Sequence, residues 1–157
     1  METIQRKALA HYLQVGEGYI RLGRDLEAYT PKIRAKVEKP RNILGATQVY
    51  VTGYEKQGTV APYFARKGEP LFEKLQAIAD GGLILEDCKA SVVEAKLWLA
   101  RGDTAPAIRE DCFLEVTDYG GDTGGYRLGF VIHYTGNREA GTFHTGTNTF
   151  TPDKSNE

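Results

Sequence analysis

Tyr126-Arg127-Leu128-Gly129-Phe130-Val131-Ile132-His133-Tyr134 carries the longest clean alternation in the chain, with Tyr126, Leu128, Phe130, Ile132 and Tyr134 on one parity. A period of two sends successive side chains to opposite faces of an extended backbone, so this run reads as a β-strand with one apolar face. Ahead of it, Gly120-Gly121-Asp122-Thr123-Gly124-Gly125 reads as a turn. After it, Thr135-Gly136-Asn137 reads as another, returning the chain through residues 139–143 and 147–151. Upstream, residues 107–119 set Cys112, Leu114 and Val116 inward against Phe113, Glu115 and Thr117. Residues 92–101 set Val93, Ala95, Leu97 and Leu99 against Glu94, Lys96 and Trp98.

One segment has the other period. Leu71, Phe72, Leu75, Ile78 and Ala79 recur at helical spacing, Pro70 sits where its missing N–H is harmless, and Gly81-Gly82 offers a left-handed cap. A helix over residues 70–80 follows. Nearer the N-terminus, Gly16 and Gly18 flank a hairpin that leads into Tyr19-Ile20-Arg21-Leu22. Ile33, Ala35 and Val37 alternate with Lys32, Arg34, Lys36 and Glu38, a strand with one wet face. Pro40 and Gly45 flank Asn42-Ile43-Leu44 and suggest a loop that leaves the body of the fold. Residues 47–54 form a strand, Lys56-Gln57-Gly58 a turn, and residues 60–63 resume extended structure that Pro62 confines to an edge or a strand end. Strands, one helix, then strands joined by short turns define an α+β, mainly β class: an antiparallel sandwich or barrel.

The chain has 157 residues, a length suited to one domain spanning 1–157 with a short flexible tail at 152–157. Its 20 basic and 21 acidic residues leave a net charge of -1, which argues against a dedicated nucleic-acid binder. No apolar run reaches the roughly 18 residues of a membrane span, and the N-terminus lacks the apolar stretch of a secretory signal. Two cysteines, Cys88 and Cys112, make neither a disulfide framework nor a four-thiolate metal site.

The constellations that suggest chemistry are weak. Gly120–Gly125 lacks the Lys-Ser/Thr of a phosphate loop and no helix follows it. His133 and His144 lack metal-ligand spacing, and Cys112 lies on the inward parity of its strand. No cofactor or metal is expected. The basic run Lys32, Arg34, Lys36, Lys39 and Arg41 suits an edge strand that uses cationic side chains to discourage mispairing.

The order of motifs says more than any one of them. In sequence come Gly23-Arg24-Asp25-Leu26-Glu27, Asn42-Ile43-Leu44-Gly45, Val51-Thr52-Gly53-Tyr54-Glu55 and the run from Val60-Ala61-Pro62-Tyr63-Phe64 through Gly68-Glu69-Pro70-Leu71-Phe72. Tyr119 to Tyr126 and Ile132-His133-Tyr134-Thr135-Gly136-Asn137-Arg138 complete the set. With these the chain resembles the tail tube (major tail) proteins of phages and phage-derived particles of Gram-positive bacteria. The resemblance implies a β-sandwich or half-barrel with one flanking helix, forming hexameric rings that stack into a hollow conduit for DNA or other cargo. It also implies a place in a virion tail or phage-like particle assembled in the host cytoplasm. The implied partners are other copies of the chain, tail completion, baseplate and tape-measure proteins, and in contractile particles a sheath. No membrane is involved.

Two expectations attach to that reading. A conduit through which DNA slides should repel phosphate rather than bind it, and so Glu94, Glu115, Glu110 and Asp118, on polar parities, are expected to face the lumen. Asn42, Ile43, Leu44 and Gly45, with Tyr54 and Gln57, are expected at the ring-to-ring junction. The competing reading is a small-molecule-binding β-barrel whose cavity Trp98 and the tyrosines would line. A hydrolase is a third, lacking a nucleophile–base signature.

Overall fold

The computed structural model describes residues 1–24, 26 and 28–153. Asp25 and Glu27 of the first motif, and residues 154–157 of the expected tail, therefore lie outside the described residues. The strands are β1 (Leu9–Val15), β2 (Gly18–Leu22), β3 (Lys32–Glu38), β4 (Tyr50–Phe64), β5 (Lys89–Lys96), β6 (Thr104–Asp122), β7 (Gly125–His144) and β8 (Thr149–Pro152), with one helix, α1 (Pro70–Gly81). Among the described residues these strands form one antiparallel sheet ordered β2-β1-β5-β6-β7-β4-β3, with β8 on the far half of β7. The mainly β class with a single helix is what alternation and helical spacing implied.

The decisive run is confirmed as strand, but it is longer than its pattern. β7 passes straight through Thr135-Gly136-Asn137, where a turn was expected. Glu110 pairs with Arg138 and Cys112 with Tyr134, so three residues of β7 face one of β6 in an enlarged bulge. Gly136, at φ 88°, supplies the conformation that distorts the ladder without ending it. Lys56-Gln57-Gly58 is likewise no turn: β4 runs unbroken across it, pairing with β3 on one side and β7 on the other. In both places a glycine beside polar residues imitates turn chemistry, while cross-strand partners hold the chain extended. The expected strand over 92–101 stops at Lys96 and gives way to a 3-10 turn at Leu97–Leu99. At the other end, Pro152 pairs with Gly141 and the Asp153 N–H donates to the Ala140 carbonyl at 3.0 Å, inside the stretch read as tail.

The sheet is rolled. Lys56 on β4 lies 3.6 Å from Glu94 on β5, although β6 and β7 run between them. Three strand spacings amount to roughly 14 Å in a flat sheet, so curvature brings the two side chains together. Inside the roll, Leu13, Val60, Val92, Cys112, Leu114, Phe130 and Ile132 pack with Leu71, Leu75 and Ile78 of α1. Gly82, in the left-handed conformation, ends α1 as its sequence implied. On the opposite face Ala10, Tyr12, Val93, Ala95, Ala107 and Phe143 form a smaller cluster. β5 is thus buried on both faces along Ala90–Val93, which explains why its alternation does not report an inside and an outside.

Candidate assembly surfaces

From Gln57 onward β4 pairs with β7, but Tyr50–Lys56 pairs with β3 alone, so β3 and the first half of β4 project from the body as a hairpin arm. Ile33, Ala35 and Val37 share one face of this arm with Tyr54 and Val51, set across from Ala35 and Val37. All seven β3 residues are exposed, and so are Tyr50, Val51 and Tyr54. The apolar parity read from the sequence is real, yet among the described residues nothing covers it.

The tip of the arm is ordered. The Asn42 side-chain carbonyl accepts from the backbone N–H groups of Leu44 and Ala46, each at 3.0 Å. The Gly45 N–H donates back to the Asn42 carbonyl, and Gly45 takes φ 80°, which its lack of a Cβ permits. These bonds turn Ile43 and Leu44 fully outward. Of the residues expected at a ring-to-ring junction, Asn42, Ile43, Leu44 and Gly45 sit at the tip and Tyr54 midway along the arm. Gln57 sits at its root, opposite His133.

Charges hold that root. Lys56 Nζ lies 3.4 Å from Glu110 and 3.6 Å from Glu94, over the Tyr134 ring at 4.4 Å. The Arg138 Nε approaches Glu110 at 3.6 Å, and the Gly136 N–H donates to the same carboxylate at 3.1 Å. His11 Nε2 is 3.5 Å from Glu94. The adjacent His11 imidazole, together with the Lys56 charge, outweighs burial and brings the Glu94 carboxyl down to about 2. Beneath this network the Tyr29 and Tyr134 hydroxyls meet at 2.6 Å, and burial raises both phenols. Ile33, Tyr54, Lys56, Glu110 and Arg138 border a cleft of about 420 Å³ between arm and body.

The four acids expected on one wall do not share a face. Glu94 pairs with Ile108, and Glu110 with Val92, on the side of the roll that holds Cys112 and α1. Glu110 is only 3% exposed. A second bulge, at Thr117, puts Glu115 (opposite Val131) and Asp118 (opposite Gly129) together on the other face, both exposed. There Glu115 accepts from His133 at 2.6 Å. The extra residue at Thr117 inverts the count and takes Asp118 off the inward parity of Cys112 and Leu114, whereas Glu110 keeps that parity and lies inside with them. Lys56, Arg138 and His11 were missed for a related reason: their partners lie far away in sequence and no local spacing announces them.

A further exposed feature lies between α1 and β5. Ile84 and Leu85 are both open to solvent and precede Glu86 and Asp87. Leu85 holds φ 54°, a left-handed conformation that costs a side-chain-bearing residue roughly 1–2 kcal/mol. Its sequence signal is slight: three apolar residues, Leu83-Ile84-Leu85, outside any periodic pattern, between Gly81-Gly82 and two acids. Cys88 and Cys112 are buried and unpaired, and burial pushes the Cys112 thiol up to about 12. Among the described residues no group of three or more His, Cys, Asp or Glu is placed to hold a metal ion. No described helix is long and apolar enough to cross a membrane.

Two chains of solved particles share this rolled antiparallel sheet with its helix. It superposes with a TM-score of 0.58 and 10% identity on a chain from the cryo-EM structure of an extracellular contractile injection system, the PVC sheath/tube terminator in the extended state. The match covers 89% of this chain and 97% of that one. It also superposes, with a TM-score of 0.50 and 8% identity, on a chain from the six-fold-symmetrised cryo-EM structure of the anti-feeding prophage baseplate, covering 92% and 99%. No family model and no curated sequence matches the chain.

Proposed function

We propose that this protein is a structural subunit of a phage-type tail tube, in which hexameric rings stack into a hollow conduit. The observation that carries the reading is the hairpin arm. Its tip and exposed apolar face have no partner among the described residues, and exposed contiguous apolar surface on a folded body marks a binding site. The fold likeness to chains from a sheath/tube terminator and a baseplate, over about nine-tenths of this chain, supports the same class. The subunit works by geometry. Its free sheet edges, β2 and β3, and its arm meet neighbouring copies, and a heterologous contact repeated by rotation closes a ring.

Of the acids first assigned to the lumen, Glu115 and Asp118 are the pair this proposal keeps together on that wall, on the face away from α1. There they would weakly repel the phosphates of passing DNA without reading its sequence. Glu94 and Glu110 are assigned instead to holding the arm's root. The tube's other partners would be completion, baseplate and tape-measure proteins and, in a contractile particle, a sheath. Negative-stain microscopy of concentrated protein, with analytical ultracentrifugation, tests the reading. Six-fold rings or tubes, formed without added cofactor, are expected. Persistent monomer at high concentration, with thermal stabilisation by a small ligand, would instead favour the binding-barrel alternative.

A further inference from the structure

The charge of the chain is divided between arm and body. From Lys32 to Gln57 there are six basic and two acidic residues, a net of +4, which leaves -5 on the rest of a chain whose total is -1. At the arm's tip, exposed Ile43 and Leu44 stand beside exposed Lys39 and Arg41. The exposed turn before β5 carries the complement: Ile84 and Leu85 beside Glu86 and Asp87, with Glu86 weakly paired to Lys89 at 3.8 Å. Two apolar side chains flanked by cations in one place and by anions in another make two patches that fit each other and not themselves.

Within one molecule they cannot meet. Lys89, Phe113, His133 and Gln57 lie at one level across the sheet, in four successive strands. From that level the arm runs in the direction β5 takes, whereas the Ile84–Asp87 turn precedes Lys89, three strands away from the arm. The strained φ of Leu85 maintains a solvent-facing apolar side chain at a position where a relaxed backbone would be easier to build.

We propose that the tip of the arm, Lys39 to Leu44, docks on the Ile84–Asp87 turn of a second copy of this chain. Apolar contact between Ile43, Leu44, Ile84 and Leu85 is the centre, and Lys39 and Arg41 against Glu86 and Asp87 form the rim. Because donor and acceptor patches differ, the contact is heterologous and propagates from copy to copy. It deepens the tube reading, which supplies the neighbouring copy, by naming the surface that receives the arm.

Paired variants of the full chain, each with one added cysteine, test it, since the native Cys88 and Cys112 are buried. Leu44→Cys and Ile84→Cys, mixed in equal amounts under mild oxidation, are expected to form a disulfide-linked heterodimer well above the dimer formed by either variant alone. Reversing the rim with Glu86→Lys and Asp87→Lys on the acceptor should lower that yield by about fivefold. Lys39→Glu and Arg41→Glu on the donor should restore it. Equal cross-linking in the mixture and in the separate variants, or no rescue by the second reversal, overturns the docking. If rings form while the mixed variants fail to cross-link, the docking is wrong and the tube reading survives. If the mixed pair cross-links but microscopy shows no ring or tube, the docking stands and the tube reading falls.

Discussion

Glu94 and Lys56 show what a single residue does here. A carboxylate whose pKa falls on folding adds stability above its unfolded pKa and loses it as protons bind. For Glu94 that window runs from its ordinary 4.5 down to about 2. Wild-type stability from denaturant titrations should therefore drop as pH falls through this range, and Glu94→Gln should flatten the drop. An unchanged profile in the variant would remove His11 and Lys56 as the cause. Gly58 is constrained by a close approach: a Cβ there would lie 2.2 Å from the Tyr29 hydroxyl. Gly58→Ala must push Tyr29 off Tyr134 and should cost about 1–3 kcal/mol, measured by chemical denaturation. Neither role is visible in a local window, because His11, Tyr29, Glu94 and Tyr134 are separated by long stretches of chain.

At the scale of elements, the arm and α1 are instructive opposites. α1 reads from its own residues, through Pro70 at the first turn, an apolar stripe and a left-handed Gly82 at the end, and it packs on the sheet as that stripe requires. The arm reads equally well as a strand, yet its apolar parity stays exposed among the described residues. Burial is a property of what lies opposite, and the proposed assembly places the opposite surface on a neighbouring copy. Leu44→Asp should accordingly leave the melting transition within about 0.5 kcal/mol of wild type, while reducing ring and tube formation on microscopy grids. A large loss of stability would mean that the tip is held by its own body after all.

For the whole molecule, the division of charge between a cationic arm and an anionic body predicts an ionic-strength dependence. The Debye length shrinks from about 10 Å at 0.1 M salt to about 3 Å at 1 M. Assembly measured by sedimentation should weaken over that range of sodium chloride, and assembly indifferent to salt would leave the apolar contacts to act alone. Periodicity and turn chemistry by themselves determined the strand-rich class, the position of the helix, the edge character of β3 and the outward loop at Asn42–Gly45. Only the tertiary structure decided which residues share a face, that β4 and β7 pass through their apparent turns, and that Glu110 is buried at the root of an arm. The physical reason is pairing between strands distant in sequence, and with it the placement of bulges. One or two extra residues leave the local pattern almost unchanged but reverse or displace every side chain beyond them, and only pairing with strands distant in sequence sets where those extra residues go.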